Sequence, residues 1–268
     1  MDELLPYLYH GADSYPHCES KYYAVHDGRA ASFDRPPGIQ RCRHCALIQT
    51  EYTYWTAPEG PPSINNGTDC HESMVKSLPH LVPLLAAHDA VLVACYSPHP
   101  LVDALRAEIT KQNDRFPKPV IGILEASVTA ALNVLEPKET FGVVSTGKVW
   151  EHLIGARIGE MLGATPTPAS DANDSAPFRT PVFAGVETTG LNATELHDAH
   201  QDLVKRKVQE ATQRLVQGEQ KVRTIVLGCA GMAAMEEWIR EVVDARTYVI
   251  DGVRAGVAAL QSTLRCAQ

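Results

Sequence analysis

The sequence predicts an α/β fold in which parallel sheets are covered by helices. From about residue 90 to the C-terminus, short apolar runs alternate with segments whose apolar residues recur at helical spacing. The apolar runs are uninterrupted rather than alternating with polar residues, as expected for strands that are buried on both faces. Strands and helices that alternate in this order form parallel sheets with helices on their faces.

The elements before residue 90 are the least regular. Residues 1–50 show neither the period of a strand nor that of a helix, so they form an atypical N-terminal segment without a predicted element. Thr53–Thr56 is expected to end a strand, and PEGPPSINNG is rich in turn formers. The segment ESMVKSLPHLVPLLAAHD is expected to form helix that Pro79 and Pro83 interrupt.

The remaining elements alternate regularly. The predicted strands are AVLVAC, PVIGIL, TFGVVST, VFAGVET, VRTIVLGC and TYVID. The helices that follow them are PLVDALRAEITKQN, EASVTAALNVL, KVWEHLIGARIGEMLG, a charged helix over roughly 192–218, GMAAMEEWIREVVD and GVRAGVAALQSTL. Between the third helix and VFAGVET, the Pro-rich segment TPTPASDANDSAPFRTP is expected to be a surface loop.

Composition excludes several classes of function. The formal net charge of −8 argues against a nucleic-acid-binding surface, which needs clustered Lys and Arg. No apolar run approaches the roughly 20 residues that span a membrane, and the N-terminus lacks the pattern of a secretory signal. The seven cysteines are therefore expected to be reduced thiols in the cytoplasm.

Two cysteines occupy matching positions in the strand–helix pattern. Cys95 ends AVLVAC, Cys229 ends VRTIVLGC, and a predicted helix follows each of them closely. Ligands of open α/β sheets bind beyond the carboxyl ends of the strands, and a helix N-terminus favours a thiolate. Either cysteine alone is as readily explained as a small core residue. Two in equivalent contexts favour two related lobes that each offer one thiol to a shared cleft.

At these residues the chain resembles the aspartate/glutamate/hydantoin racemase superfamily. Within it the chain is most similar to the hydantoin–allantoin racemase branch, including its fungal members. The similarity spans roughly residues 51–260. Its carriers, in order, are YWTAPEGPPSIN, VACYSPHPLV, GILEASV, FGVVSTGKVWE, FAGVETTGLNA, VLGCAGM and VIDGVRAGV.

The resemblance implies a fold of two Rossmann-like lobes with pseudo-two-fold symmetry and an active site in the cleft between them. Lobe 1 is assigned to 51–118 plus about 240–268, and lobe 2 to 119–239. The family's catalytic cysteines map onto Cys95 and Cys229. The candidate substrate-binding residues are Ser63, Ile64, Tyr96, Ser97, Ser145, Thr146, Gly147, Ala230 and Gly231.

The resemblance further implies a small-molecule substrate, no cofactor and a homo-oligomer. Inverting a carbon centre without a cofactor requires an acid and a base on opposite faces of the substrate, which two thiols can supply. The resulting carbanion needs N–H donors near the substrate carbonyl, and Ala230 and Gly231 are expected to provide them. A hydantoin-type ring suits this chemistry because its carbonyl delocalises the negative charge.

The N-terminal segment departs from the family pattern. Members open with a short strand and an Asn-Pro-Asn loop that binds substrate, and this sequence contains no Asn-Pro-Asn. Three alternatives therefore stay open: an amino-acid racemase, a related isomerase or decarboxylase, and an inactive relative that binds a metabolite. Cys42 and Cys45 have the spacing of half a zinc site, but no second pair accompanies them, so no metal is predicted.

Overall fold

The structure of the protein is a computed structural model. It describes residues 21–28, 49–111, 118–164, 180–218 and 220–266, with 21–28 and 49 described by their backbone. The strands are β1 (Lys21–Gly28), β2 (Gln49–Thr56), β3 (Ala90–Ala94), β4 (Val120–Gly122), β5 (Thr140–Ser145), β6 (Phe183–Thr188), β7 (Val222–Leu227) and β8 (Tyr248–Asp251).

Helices follow most of these strands. The α-helices are α1 (Gly67–Leu81), α2 (Leu101–Lys111), α3 (Ile123–Val134), α4 (Val149–Met161), α5 (Glu195–Asp198), α6 (Gln201–Val216), α7 (Glu236–Arg240) and α8 (Gly252–Cys266). Two 3₁₀ helices, Val82–Ala87 and Ala230–Met235, precede β3 and α7.

The strands form two four-stranded sheets, and the predicted α/β class is confirmed. The first sheet has the order β2-β1-β3-β4 and the second has the order β6-β5-β7-β8. All pairings of the second sheet are parallel, as is the pairing of β3 with β4. Every residue of β3 and of β5 is buried, which explains the uninterrupted apolar runs that predicted these strands.

The N-terminal segment, for which no element was predicted, contributes a strand to the first sheet. Strand β1 lies between β2 and β3 and pairs antiparallel with both of them. The first sheet is therefore mixed, and its strand β1 was missed because the apolar run of Lys21–Gly28 is only four residues long, with charged and polar residues on both sides.

The division into two lobes as separate units stays a prediction. Its ranges put Val120–Gly122 in lobe 2 and Tyr248–Asp251 in lobe 1. The strand pairings instead join Val120–Gly122 to the first sheet and Tyr248–Asp251 to the second. Between the sheets, α8 packs against both α3 and β3, so the C-terminal helix returns to the first sheet.

Several helices differ from their predicted extents. Pro79 does not interrupt α1, because it lies in the last turn, where its missing N–H removes a single hydrogen bond. The predicted helix over 192–218 is divided into α5 and α6 by extended backbone at Ala199. The predicted helix GMAAMEEWIREVVD is a 3₁₀ helix that continues into the short helix α7.

The core lies between the sheets and their helices, and it places both cysteines at its edge. Cys95 directly follows β3, and Cys229 follows β7 after one glycine. Both are half-buried, whereas the strand residues before them are buried. Among the described helices, none is long and apolar enough to cross a bilayer.

Candidate active site

Both cysteines line one cavity at the carboxyl ends of β3 and β7. The cavity encloses about 430 Å³ of empty space, including its open mouth. The residues that line it come from both sheets and from the loops that follow their strands. They are Ile64, Ala94, Cys95, Tyr96, Thr146, Trp150, Ala193, Gly228, Cys229 and Ala230. The position agrees with the predicted cleft beyond the strand ends.

The described lining of this cavity carries no charged side chain. Its walls are apolar, with Ile64 on one side and Trp150 on the other contributing the large surfaces. Its polar groups are the two thiols, the Thr146 hydroxyl and the backbone of the loop after β7. Such a site is suited to a small uncharged ligand held by few polar contacts.

The loop that carries Cys229 is fixed by contacts to β5. The Gly228 N–H donates to the Val144 carbonyl at 2.7 Å, and the Ser145 hydroxyl donates to the Gly228 carbonyl at 2.7 Å. A Cβ at Gly228 would lie 2.6 Å from Val143 Cγ1 and 2.9 Å from the Val144 carbonyl oxygen. Only glycine lets the strand end approach β5 this closely, so the sequence Gly228-Cys229 sets the position of the thiol.

The loop after β6 closes the same side of the cavity. The Thr189 N–H donates to the Ser145 carbonyl at 2.9 Å, and its hydroxyl donates to the Thr146 carbonyl at 3.3 Å. Asn192 and Glu195 then exchange two hydrogen bonds of 2.8 and 2.9 Å between side chain and backbone, which start the short helix α5. This anchoring places Ala193 against the cavity.

Helix α5 also brings His197 close to Cys229, a proximity that the sequence did not reveal. The point that a Cβ of Gly231 would occupy is 2.8 Å from His197 Nε2 and 3.7 Å from Cys229 Sγ. The imidazole nitrogen and the thiol therefore lie within 6.5 Å of each other. Gly231, which has no side chain, leaves the space in which the exposed His197 ring sits.

The loop that carries Cys95 is held by a cluster of buried side chains. Cys95 Sγ and Ser97 Oγ are 3.3 Å apart, and Cys70 Sγ donates to Ser97 Oγ at 3.5 Å. His99 is also buried, and its Nδ1 accepts a hydrogen bond of 3.2 Å from the N–H of Leu101, the first residue of α2. Burial lowers the pKa of His99 to about 4, so its imidazole is neutral near pH 7.

Of the predicted substrate-binding residues, four line the cavity and five do not. The four are Ile64, Tyr96, Thr146 and Ala230. Each of the other five is a direct neighbour in sequence of one of these four; they are Ser63, Ser97, Ser145, Gly147 and Gly231.

Three of these predicted residues have hydroxyls that contact other protein groups. Ser145 bonds to the loop of Cys229, as described above, and Ser97 bonds to Cys95. The Tyr96 ring lines the cavity, but its hydroxyl lies 3.0 Å from the Ser127 hydroxyl in α3. Burial raises the pKa of Tyr96, so its phenol stays protonated.

Four lining residues were not predicted: Ala94, Trp150, Ala193 and Gly228. Trp150 and Ala193 lie within the quoted segments FGVVSTGKVWE and FAGVETTGLNA, so their neighbourhood was identified without their roles. Ala94 and Gly228 immediately precede the two cysteines, and this position in the sequence is what could have identified them as lining residues.

The described residues contain no group of three or more His, Cys, Asp or Glu side chains arranged to hold a metal ion. Cys42 and Cys45, the half zinc site considered from the sequence, lie outside the described residues.

Comparison with known proteins identifies relatives that match most of the chain. The family model for Asp/Glu/Hydantoin racemase matches residues 39–260. Uncharacterized protein C1F7.10 of Schizosaccharomyces pombe is 34% identical over 226 residues, which cover 82% of each chain. Protein DCG1 of Saccharomyces cerevisiae is 22% identical over 234 residues, which cover 82% of this chain and 86% of DCG1.

Similar solved structures include two allantoin racemases. The enzyme from Klebsiella pneumoniae has a TM-score of 0.59 and 26% identity, and the match covers 78% of this chain and 74% of that one. The enzyme AllR from Pseudomonas fluorescens has a TM-score of 0.61 and 23% identity, with 80% and 78% covered. The chain thus shares its two-lobed α/β fold with these racemases.

Proposed function

The chain belongs to the Asp/Glu/hydantoin racemase family, and from this premise we propose that it racemises hydantoin- or allantoin-like ring compounds without a cofactor. One observation carries the proposal: Cys95 and Cys229, from the two sheets, line a single cavity whose described lining has no charged side chain. The thiols are the acid and the base, and the uncharged walls select the substrate class.

The chemistry requires one thiol in each protonation state. A thiolate removes the proton from the chiral carbon, and the other thiol donates a proton to the opposite face of the planar carbanion. Both sulfurs are half-buried at strand ends, which allows contact with substrate while most bulk water is excluded. Each turnover exchanges the protonation states of Cys95 and Cys229, and exchange with solvent restores them.

The carbanion needs groups that stabilise negative charge on the substrate carbonyl. The N–H groups of Ala230 and Gly231 lie in the first turn of a 3₁₀ helix, where a helix provides no internal partner for them. Ala230 lines the cavity next to Cys229, and Thr146 brings a hydroxyl to the same region. We assign these groups to the ring carbonyl.

The substrate class follows from the cavity walls. An acidic amino acid brings one or two free carboxylates and a charged amine, each of which needs a charged or multiply hydrogen-bonded partner when it is buried. The described lining offers thiols, one hydroxyl and apolar surface instead. A neutral ring with polar edges and no free α-carboxylate fits this environment. The names of the two similar allantoin racemases agree with this choice.

We further propose that the protein is a cytoplasmic homo-oligomer. The four described cysteines are free thiols, as expected in a reducing compartment. The edge strands β2 and β8 each expose a tyrosine, Tyr54 and Tyr248, with over half of its surface accessible. Such exposed edges and aromatic residues favour self-association. Light scattering coupled to size-exclusion chromatography measures the assembly.

Polarimetry on enantiopure allantoin and on 5-substituted hydantoins tests the proposed reaction. We expect the optical rotation to decay to zero for at least one of these rings, whereas enantiopure glutamate and aspartate keep their rotation. Spontaneous racemisation is subtracted with a protein sample that carries both Cys95→Ser and Cys229→Ser. Racemisation of the amino acids alone would contradict the substrate class, and binding without turnover would contradict the enzymatic proposal.

A further inference from the structure

A third cysteine belongs to the surroundings of Cys95 without lining the cavity. Cys70 lies in the first turns of α1 and is 3% exposed. Its sulfur is 3.5 Å from the Ser97 hydroxyl oxygen, which is in turn 3.3 Å from the Cys95 sulfur. Ser97 is 2% exposed, so both supporting groups are buried while Cys95 faces the cavity.

The direction of these hydrogen bonds follows from the chemistry of the groups. Burial raises the pKa of Cys70 and outweighs the hydrogen bond to Ser97, which lowers it, and the nearby Asp69 carboxylate adds to the increase. Cys70 therefore keeps its proton and donates it to Ser97 Oγ. A hydroxyl has one proton and two lone pairs. With one lone pair of Ser97 occupied by Cys70, its proton remains available for the sulfur of Cys95.

We propose that Cys70 and Ser97 are positioning residues that hold Cys95 as the thiolate in the resting enzyme, through the chain Cys70 S–H to Ser97 O–H to Cys95 S⁻. The inference rests on the proposed racemase function and adds which sulfur is the base at rest. Hydrogen bonds to an ionised acceptor are roughly twice as strong as neutral ones. The Ser97 bond therefore favours the charged sulfur over the protonated one.

The protons balance in the resulting cycle. The thiolate of Cys95 takes the proton from the substrate carbon, and the S–H of Cys229 gives a proton to the opposite face. The product leaves Cys95 protonated and Cys229 as thiolate. Loss of the Cys95 proton to solvent and uptake of one by Cys229 restore the resting state, in which Ser97 again donates to a thiolate.

Other titratable groups near Cys95 do not favour its thiolate form. On the same loop, His99 is neutral near pH 7 because burial lowers its pKa to about 4. Tyr96 is also neutral because burial raises its pKa. Asp69, beyond Cys70, carries a negative charge that opposes a thiolate, and it accepts hydrogen bonds from the Asn65 N–H at 2.8 Å and the Asn66 amide at 3.1 Å. Cys229 faces Cys95 across the cavity and is removed in the test below.

The rate at which iodoacetamide alkylates Cys95, measured against pH, tests the proposal. The measurement uses the full chain with Cys229→Ser, and mass spectrometry of the Cys95 peptide separates it from the other thiols. We expect a midpoint below the ordinary value of about 8.5. Ser97→Ala should raise it by about one unit, which is tenfold less thiolate below the midpoint. Cys70→Ala should raise it by a smaller amount in the same direction.

Two conservative variants separate hydrogen bonding from packing. Ser97→Thr keeps the hydroxyl and Cys70→Ser keeps a donor, so both should restore the low midpoint, and circular dichroism verifies that each variant is folded. An unchanged midpoint in Ser97→Ala or in Cys70→Ala would overturn the proposed series of hydrogen bonds from Cys70 through Ser97 to Cys95. A raised midpoint in both conservative variants would overturn it as well. Because alkylation does not require turnover, an inactive protein with the expected midpoints would contradict the proposed function and leave this inference standing.

Discussion

Cys95 and Cys229 end strands at equivalent places in two sheets, yet their surroundings differ in kind. Beside Cys95 lie the buried hydroxyl of Ser97 and the buried thiol of Cys70. Beside Cys229 lies the exposed imidazole of His197, and its loop is held by bonds between Gly228 and β5. The Cys95 sulfur contacts a network of buried groups, and the Cys229 sulfur lies within 6.5 Å of the imidazole nitrogen of an exposed histidine.

This difference suits a reaction that needs one thiol protonated and one ionised. Two identical environments would give the two sulfurs equal proton affinity, and each would then be ionised equally often. A buried hydrogen-bond chain favours one protonation state of Cys95, whereas His197, on the Cys229 side, is exposed to solvent. The predictions below test whether the two sides are in fact unequal.

The largest expected effect comes from removing either thiol. Cys95→Ser and Cys229→Ser should each reduce racemisation by about 10²- to 10⁴-fold, because each removes an acid or a base. Proton exchange without inversion should persist for one enantiomer in each variant, and for opposite enantiomers in the two. NMR in D₂O follows the loss of the proton at the chiral carbon separately from the loss of optical rotation.

Cys266→Ser is the matched control for this experiment, since Cys266 is exposed near the end of α8, outside the cavity. It should racemise as the unaltered protein does. Full activity in Cys95→Ser or in Cys229→Ser would contradict the mechanism in which both thiols are required. Exchange of the same enantiomer in both variants would show that the thiols do not act on opposite faces.

The next effect concerns the pH dependence of stability on the Cys95 side. Burial lowers the pKa of His99 from 6.5 to about 4, and its Nδ1 must be unprotonated to accept from the Leu101 N–H. Below pH 6.5 the unfolded chain therefore binds a proton that the native protein does not. The stability that the protein gains from neutral His99 is fully present above pH 6.5 and is lost as the pH falls to 4. It amounts to about 3 kcal/mol at most.

Urea unfolding between pH 7.5 and pH 4 measures this effect by comparing the protein with His99→Asn, whose side-chain oxygen can still accept from Leu101. The free energy of unfolding should fall less steeply in the variant as the pH decreases. Carboxylates titrate in both proteins, so their contribution cancels in the difference. Parallel pH profiles would mean that His99 does not make the Cys95 loop sensitive to acid.

On the Cys229 side, the substitution that is expected to lower stability acts through a steric clash rather than through charge. Gly228→Ala would place a methyl group 2.6 Å from Val143 Cγ1 and 2.9 Å from the Val144 carbonyl, and this backbone oxygen cannot move aside. Overpacking of this kind costs about 1–3 kcal/mol. Gly67→Ala, where nothing lies within 4 Å of the new methyl group, should change stability by less than about 0.5 kcal/mol. Equal melting temperatures for the two variants would contradict the tight approach of β7 to β5.

The two sides also differ in how much the sequence could predict. Cys95 and Cys229 were identifiable because an apolar strand, a small residue and a helix recur around them. Ser145 was identified through the family resemblance, since its bond to the Gly228 carbonyl joins residues that are 83 positions apart. Cys70 and His197 were not identified, because each is brought near a cysteine by an element that is distant in sequence. Contacts of that kind depend on how elements pack, and single-chain periodicity carries no information about packing.

The same limit explains the fold differences. The apolar run of strand β1 is only four residues long, so its pairing with β2 and β3 is what identifies it. The break at Ala199, which creates α5, occurs within a segment whose charged residues are all compatible with helix. His197, whose ring lies near Gly231, belongs to the short helix that this break separates from α6.

The smallest expected effect tests how the nearness of His197 to Cys229 affects the Cys229 thiol. Gly231→Ala would put its methyl group 2.8 Å from His197 Nε2 and displace the ring, which belongs to an exposed residue. Stability should change little. Alkylation of Cys229, measured near pH 7 in a Cys95→Ser background, should slow by about two- to fivefold, the size of a solvent-exposed electrostatic contact.

His197→Asn should produce the same change, while alkylation of Cys95 in the Cys229→Ser background should be unaffected by either substitution. A larger effect of His197→Asn on Cys95 than on Cys229 would mean that the imidazole serves the cavity as a whole, and the contrast between the two thiols would then rest on Ser97 and Cys70 alone.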